Sequence, residues 1–599
     1  MKQRLIFLLR FYLTTVLIFV MAKVVFMLCY AGQEAFTAGD VLSVVWHGLS
    51  LDLSTALYFL IIPLLLSAFS VWLPVPRWLF RGYALLVAVA FSLAFVADTS
   101  LYAFWQFKLD ASCLSYLETP TEATASVSTA YLLARFIIFA VVAAVIFFSL
   151  AFSVERSASA KLKATALHLL VIPLMVIGIR GGLSESTTNI GQVYFSSRQF
   201  LSHSAVNPVF SFLYSLGKSG DYIVEYRFFS DDECEQLTEG LFDSETLPAD
   251  TLLTTTRPNI VLIIMESCGG QFTELGGHTD ITPRLNQLAH EGIYFTQCYA
   301  NSWRTDRGVV SILSGYPAFP ITSVMKVPEK SRKLPSIAGT LKAEGYDNSF
   351  LYGGDINFTN MRSYVMSSGY DHLTWKADYS SDEQATAKWG VSDGITARTL
   401  FRDIAAQPAD SRWMKTWLTL SSHEPWDVPE RVLDDEVYNA FHYLDRCVGE
   451  LVDSLRSLPS WSQTLVVILP DHGYRYQGIN ETTRLFNHIP MIWVGGAVRQ
   501  PRTVSAICNQ SDLAATLLGQ LQLSHSDFRF SRDVLSPAYR RQLAFHTYVE
   551  GMTVIDSTGF MSYDLAAQHL IAAQSSDSLR QLQLGRALLQ LTSRDLKEK

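Results

Sequence analysis

The chain has 599 residues, is 49% apolar and only 17% charged, and carries a net charge of −8. That length exceeds one ordinary domain and predicts two or three, and the charge deficit, against a usual share of about 25%, lies in the first third. The acidic balance gives no footing for a nucleic-acid partner, and the seven cysteines form no C-x-x-C pair and no even, regular set, which excludes a zinc knuckle and a disulfide framework and leaves open one bridge in the large domain.

Five apolar stretches come first, at 5–30, 51–73, 83–105, 131–154 and 164–179. Each approaches or exceeds the ~20 residues that cross a bilayer as a helix. Five in succession argue against core helices of a soluble domain. Lys2 and Arg4 precede the first stretch, Arg77 and Arg81 separate the second and third, and Arg156, Lys161 and Lys163 separate the fourth and fifth. The alternate loops carry Glu34 and Asp40, then Lys108, Asp110, Glu118 and Glu122. Basic loops favour the cytoplasm, so the N-terminus is expected inside and everything after about residue 182 outside, with the first span retained as an anchor. Asp52, Asp98, Arg135 and His168 fall in or near the spans. Such groups either face a bundle interior or snorkel to the interface.

The expected domains are a transmembrane domain over 1–182, a juxtamembrane connector over 183–256 and a soluble domain over 257–599. In the connector, 207–216 is apolar and aromatic but too short to span. It fits an amphipathic helix on the outer membrane face or a helix packed on the soluble domain. Asp231, Asp232, Glu233 and Glu235 mark a solvated linker or exposed helix.

From about residue 257, short β-rich runs alternate with helical segments. Strands are predicted at 259–265, 347–352, 413–421, 464–469 and 489–494, and helices at 284–291, 336–344, 394–404 and 437–455. Several of the strands are continuous apolar runs, as in strands covered on both faces. The alternation predicts a doubly wound α/β domain. The tail differs: 544–557 and 559–564 read as short antiparallel strands, and 578–591 as a final helix.

The stretch Asn301-Ser-Trp-Arg304-Thr305-Asp-Arg307-Gly places a threonine hydroxyl in the first turn of a predicted helix. Backbone N–H groups and the helix dipole there favour an anion, and Arg304 and Arg307 flank the hydroxyl as candidate phosphate holders. Alone, such a threonine is an N-cap. Two further stretches change its meaning. In an open α/β sheet, ligands sit beyond the carboxyl ends of the strands. Glu266 follows the 259–265 strand, and Asp471 and His472 follow the 464–469 strand. With the Thr305 oxygen they make three oxygens and one imidazole nitrogen. That set suits one divalent cation, manganese first, then zinc or magnesium.

These motifs, together with Gly354–Arg362, Ser421–Pro425 and His488-Ile-Pro490, resemble the sulfatase-like branch of the alkaline phosphatase superfamily. With five spans and an outward soluble domain, the whole chain resembles a lipoteichoic acid synthase-type membrane phosphoglycerol transferase. The resemblance implies that Glu266, Thr305, Asp471 and His472 hold the metal and that Thr305 is also the nucleophile. It implies head-group contacts from Asp355 and Arg362 and a head-group or acid/base role for His423; His488 is a second candidate acid/base for the leaving or entering oxygen and a candidate substrate-binding residue. Two positions depart from the family: its histidine two residues before the aspartate is Gly353 here, and its tryptophan two residues before the arginine is Asn360. Sulfatases carry Cys or Ser in place of Thr305 and Pro in place of Arg307, so true sulfatase activity is not expected.

The implied reaction moves a phosphoglycerol head group from phosphatidylglycerol, through a phosphoglyceryl-threonine, to a hydroxyl of an envelope glycan, lipid or polymer. The implied location is a bacterial cytoplasmic (inner) membrane with the catalytic domain on the periplasmic or outer side. The alternatives are a phosphoethanolamine transferase, a hydrolase, or a non-catalytic sulfatase-like sensor; the intact Glu266, Thr305, Asp471 and His472 set argues against the last.

Overall fold

The computed structural model describes residues 2–105, 108–111, 113–114, 129–152, 161–184, 186–196, 198–216, 223–242, 251–549 and 551–599. Glu118, Glu122 and Arg156 lie outside these residues. Contacts divide the chain into two units, Met1–Gly220 and Asp221–Lys599.

Five helices of the first unit are long and apolar enough to cross a membrane. They are α1 (Lys2–Cys29), α2 (Ala38–Phe69), α3 (Arg77–Trp105), α4 (Thr129–Leu150) and α5 (Lys161–Arg180). α2 starts well before the predicted residue 51 because Thr37 caps it. The Thr37 hydroxyl accepts from Asp40 N–H at 3.2 Å, and the Asp40 carboxylate accepts from Thr37 N–H at 2.7 Å. This is a capping box, and it puts Asp40 in a helix rather than a loop.

Three of the four ionisable groups face inward. Asp52 is buried and paired with Lys23, and it accepts from the Asn207 amide at 2.9 Å. Asp98 is buried and paired with Lys108, a residue expected in a loop. His168 is buried with its Nε2 2.9 Å from the Ser67 hydroxyl, which ties α5 to α2. Arg135 is only partly covered, 4.7 Å from the Tyr131 ring. A charge in an apolar bundle needs such partners. The 207–216 segment forms α6 (Pro208–Leu216), which packs on α2 and α3. Asn207 caps it, its side-chain oxygen accepting from Val209 N–H at 3.0 Å and Phe210 N–H at 3.2 Å.

The second unit is built on a nine-stranded sheet. Its strands are β1 (Asn259–Met265), β2 (Ile293–Tyr299), β3 (Asp347–Tyr352), β4 (His372–Trp375), β5 (Trp413–Leu418), β6 (Thr464–Pro470), β7 (His488–Val494), β8 (Arg502–Val504) and β9 (Cys508–Asn509). The order is β4-β3-β5-β1-β6-β7-β2-β8, with β9 beside β2. Only β7 runs against the rest, antiparallel to β6 and β2. Every residue of β1 and β6 is buried, as their unbroken apolar runs require.

β2 is absent from the predicted strands. The Thr296-Gln297 pair interrupts its apolar run where the register slips between Phe295 and Cys298. The tail is a separate antiparallel sheet, β10 (Leu543–Tyr548), β11 (Gly551–Asp556), β12 (Gly559–Asp564) and β13 (His569–Ser575), followed by the helix Ser578–Glu598. All seven cysteines are free thiols, although Cys298 and Cys508 stand opposite one another on β2 and β9.

Candidate active site

The parallel register of β1 and β6 ends on the pair Met265–Pro470. The next residues, Glu266 and Asp471, therefore leave neighbouring strands at the same level. β2, parallel to both, delivers the chain to the helix α7 (Thr305–Ser314) at the same edge. Thr305 is the first residue of α7, and its hydroxyl donates to Glu266 Oε2 at 3.1 Å. The start of α7 lies directly on the Asp471 backbone. A Cβ on Gly308 would overlap the Asp471 carbonyl oxygen, so only glycine permits this approach. Gln510 bridges the two, donating to Asp471 O at 2.9 Å and Gly308 O at 3.2 Å.

Ser267 holds both carboxylates. Its hydroxyl donates to Glu266 Oε1 at 2.7 Å and its backbone N–H to Asp471 Oδ1 at 2.9 Å. It does so from a left-handed backbone, φ +57°, which costs on the order of 1–3 kcal/mol for a residue with a side chain and clusters at functional sites. His472 Nδ1 lies 2.7 Å from Gly473 O. A proton on Nδ1 satisfies that carbonyl and leaves Nε2 as a bare acceptor, the form a metal ligand needs. Nε2 is 3.6 Å from Glu266 Oε1 and 3.6 Å from Asp471 Oδ2.

These residues fit a cation. Glu266, Asp471 and His472 are buried, and one ligand atom from each lies within 4.8 Å of the others. Asp471 Oδ2 is buried and makes no hydrogen bond, a costly state for a carboxylate oxygen. Burial and the neighbouring Glu266 charge push the Asp471 carboxyl up to about 7, against the pull of His472. Burial opposes the Glu266 charge, but His472, His423 and the bonds from Ser267 and Thr305 hold its carboxyl below the usual range. Burial likewise opposes the His472 charge, yet the two carboxylates raise its pKa. Two buried carboxylates against one imidazole are short of positive charge, which a divalent ion supplies. The oxygen-rich set with one nitrogen agrees with a manganese, zinc or magnesium ion.

Glu266, Thr305 and His472 line a cleft of about 550 Å³, within the range of small-molecule sites. Arg304 and His423 line it, with Trp303, Trp389 and Tyr474. His423 Nδ1 is 2.9 Å from Glu424 O, which leaves Nε2 for a substrate oxygen. Glu266, Thr305, Asp471, His472, Arg304 and His423 are thus brought together.

Four other sequence candidates are not. Arg307 is buried, and its guanidinium donates to Phe319 O at 3.2 Å and Ile321 O at 2.8 Å. It holds the 319–321 loop. His488 stacks on Tyr299 with ring centroids 4.9 Å apart, its Nε2 is 2.8 Å from Thr296 O, and burial lowers its pKa to about 4. A neutral ring bonded to a strand carbonyl serves packing. Asp355 accepts from Asn357 N–H at 3.0 Å, and Arg362 lies 5.8 Å from the Trp375 ring. Neither lines the cleft, whose wall there is Phe358, Thr359 and Met361.

Arg307→Ala is expected to remove charged donors from two carbonyls and cost about 1.5–3 kcal/mol of stability. Arg304→Ala is expected to leave the melting temperature nearly unchanged and to lower kcat/KM by about 10²-fold. Melting curves and kinetics on both variants check this. An Arg307→Ala protein that melts normally but is inactive would put that residue back in the cleft.

Ser267, Gln510 and Trp389 were invisible to motif reading. A serine after a glutamate, a lone glutamine and a loop tryptophan carry no spacing signal.

Residues 258–523 match the family model described as Sulfatase. Phosphoglycerol transferase I of Xanthomonas campestris pv. campestris (strain B100) is 25% identical over 309 residues, 47% of this chain and 43% of that protein. Lipoteichoic acid synthase 2 of Bacillus subtilis (strain 168) is 22% identical over 295 residues, 44% of this chain and 45% of that protein. The match thus spans less than half the length of these curated relatives. A solved protein of the alkaline phosphatase superfamily from Vibrio parahaemolyticus superimposes with a TM-score of 0.54 at 24% identity, covering 62% of this chain and 98% of that one. The lipoteichoic acid synthase LtaP from Listeria monocytogenes gives 0.50 at 17% identity, again covering 62% and 98%. The family resemblance read from the motifs is borne out, as is the fold.

Proposed function

We propose that this membrane protein, whose residues 258–523 form a sulfatase-family domain of the alkaline phosphatase superfamily, is a metal-dependent phosphoglycerol transferase acting on a membrane phospholipid. The observation that carries the reading is the Thr305 hydroxyl, 3.1 Å from Glu266 Oε2 at the first turn of a helix and beside three buried candidate metal ligands. The two relatives named as transferase and synthase support the reaction class.

Glu266, Asp471, His472 and Thr305 would hold the cation. Bound there, it would act as a Lewis acid on the phosphoryl group and make the threonine hydroxyl more acidic. With its proton already released to solvent, Thr305 Oγ attacks the phosphorus of phosphatidylglycerol in line and is set free in the same form in the second half. A new Oγ–P bond forms as the P–O bond to diacylglycerol breaks, and His423 gives the leaving oxygen its proton. Arg304 and the N–H groups at the start of α7 face the non-bridging oxygens. In the second half, His423 takes the proton of an acceptor hydroxyl, whose oxygen displaces Thr305. The acceptor is a hydroxyl of an envelope glycan, lipid or growing polymer.

Anchoring suits a donor whose tails stay in the bilayer. The orientation follows the loop charges: N-terminus in the cytoplasm, catalytic unit outside a bacterial inner membrane. The transmembrane domain, connector and catalytic domain are assigned to 1–182, 183–256 and 257–599. Manganese is the preferred ion.

Labelled phosphatidylglycerol and phosphatidylethanolamine, offered separately to the purified full chain, test the donor. Diacylglycerol is expected from phosphatidylglycerol. Release from phosphatidylethanolamine alone, or from neither, overturns the reading.

A further inference from the structure

β9 consists of Cys508 and Asn509 alone, yet it anchors the segment that braces the site. It runs parallel to β2, with Cys298 opposite Cys508 and Tyr299 opposite Asn509. The Asn509 side chain donates to Tyr299 O at 3.0 Å. Gln510 follows, accepting from Asn301 N–H at 2.9 Å and donating to Asp471 O and Gly308 O. β2 in turn leads to Thr305. The two cysteines therefore stand at the foot of both segments, and neither lines the cleft.

A covalent bond between their sulfurs fits this placement. Residues in register on parallel strands point to the same face of the sheet, and neighbouring strands lie about 4.8 Å apart. That spacing falls inside the ~4.4–6.8 Å between Cα atoms that a disulfide spans. Both side chains are fully buried in the core on one face of the sheet. Their thiols meet there: a hydrogen bond with Cys298, together with burial, pushes the Cys508 thiol well above the usual thiol range. The other five cysteines stand elsewhere. Cys234 donates to Ala587 O at 3.3 Å, Cys268 and Cys447 lie in the core on the opposite face, and Cys29 and Cys113 belong to the first unit. A buried, protonated thiol is a poor nucleophile, so the pair reacts as the chain folds, before the core closes.

We propose that Cys298 and Cys508 form a disulfide when the catalytic unit folds in an oxidising compartment, locking β9 to β2. The compartment rests on the outward placement proposed above; the pairing does not. The oxidant is a protein or small-molecule disulfide. One cysteine thiolate attacks it, making a mixed disulfide and releasing one of its sulfurs as a thiol, and the second cysteine thiolate displaces the other. The chain gives up two protons and two electrons, and the oxidant leaves as two thiols. The loop closed, from 298 to 508, holds Thr305, Asp471 and His472. Long loops are where a cross-link restricts the unfolded chain most.

The test uses the full chain, purified from membranes in detergent without reductant, unfolded in N-ethylmaleimide, digested and weighed. A second sample is unfolded in reductant, refolded in a mixture of glutathione and its disulfide until its melting transition returns, and treated in the same way. One peptide pair joining Cys298 to Cys508, separated by reductant, is expected in the first sample and supports both pairing and placement. The link found only after refolding supports the pairing and overturns the outward placement. Alkylated Cys298 and Cys508 in both samples, or either one joined to a different cysteine, overturns the assignment while leaving the transferase reading intact. Cys298→Ala/Cys508→Ala is expected to melt at least about 5 °C lower than the bridged wild type, with kcat/KM little changed below that temperature. A double variant that melts with the wild type overturns the lock.

Discussion

Thr305→Ala is expected to lower diacylglycerol release from phosphatidylglycerol by at least about 10³-fold, the scale of losing a nucleophile from a catalytic set that acts as a unit. The protein is expected to stay folded. Thr305 occupies the first turn of α7, where alanine is tolerated, and its hydroxyl donates to Glu266. The rest of α7 is buried from Asp306 to Ser314 and is untouched. Thr305→Ser keeps the hydroxyl and is expected to retain most of the rate. If alanine and wild type turn over alike, the hydroxyl is not the nucleophile and the attack comes from elsewhere.

Chelation is the second large effect. Removing divalent ions is expected to abolish turnover, and manganese is expected to restore it. Stability gives an independent readout. A ligand at a hundred times its Kd adds about 2.7 kcal/mol to the folded state, so manganese is expected to raise the melting temperature of the wild-type chain. Asp471→Asn reverses this pattern. The Asp471 carboxyl is pushed up to about 7 by burial and by Glu266. A carboxyl raised in the folded state contributes stability that is fully present below its unfolded pKa and is lost as pH rises through its folded value. At pH 8 the chelated wild type therefore carries an uncompensated charge that the amide lacks. Chelated Asp471→Asn is expected to melt no lower than chelated wild type, and to gain little when manganese is added. A manganese-induced rise of equal size in both proteins would remove Asp471 from the ion's ligands.

Much of this site was legible because parallel strands advertise themselves. β1 and β6 are unbroken apolar runs, and the residues just past them must share one edge of the sheet. That is why Glu266, Asp471 and His472 could be grouped across some 200 residues of chain. β2 was not legible, since Thr296 and Gln297 break its pattern at a bulge, although this strand is what brings Thr305 to the same edge. The reversed direction of β7 leaves no mark in an apolar run either.

Side-chain direction was the other limit. Arg304 and Arg307 stand three apart beside the nucleophile, yet one lines the cleft while the other turns to the carbonyls of Phe319 and Ile321. Nothing local distinguishes them; the 319–321 loop decides. His488 likewise follows Tyr299, its partner across β2 and β7. The two departures from the family also have a local reason: Gly353 has no room for a side chain beneath Val391, and Asn360 is buried in a left-handed conformation.

The covalent step is open to direct measurement. The manganese-loaded chain, mixed with phosphatidylglycerol without acceptor and quenched in acid, is digested and its peptides weighed. One phosphoglycerol group on the peptide containing Thr305, absent from Thr305→Ala, is the predicted result. Diacylglycerol released in a single turnover with no adduct, or with the adduct on a different side chain, would contradict it.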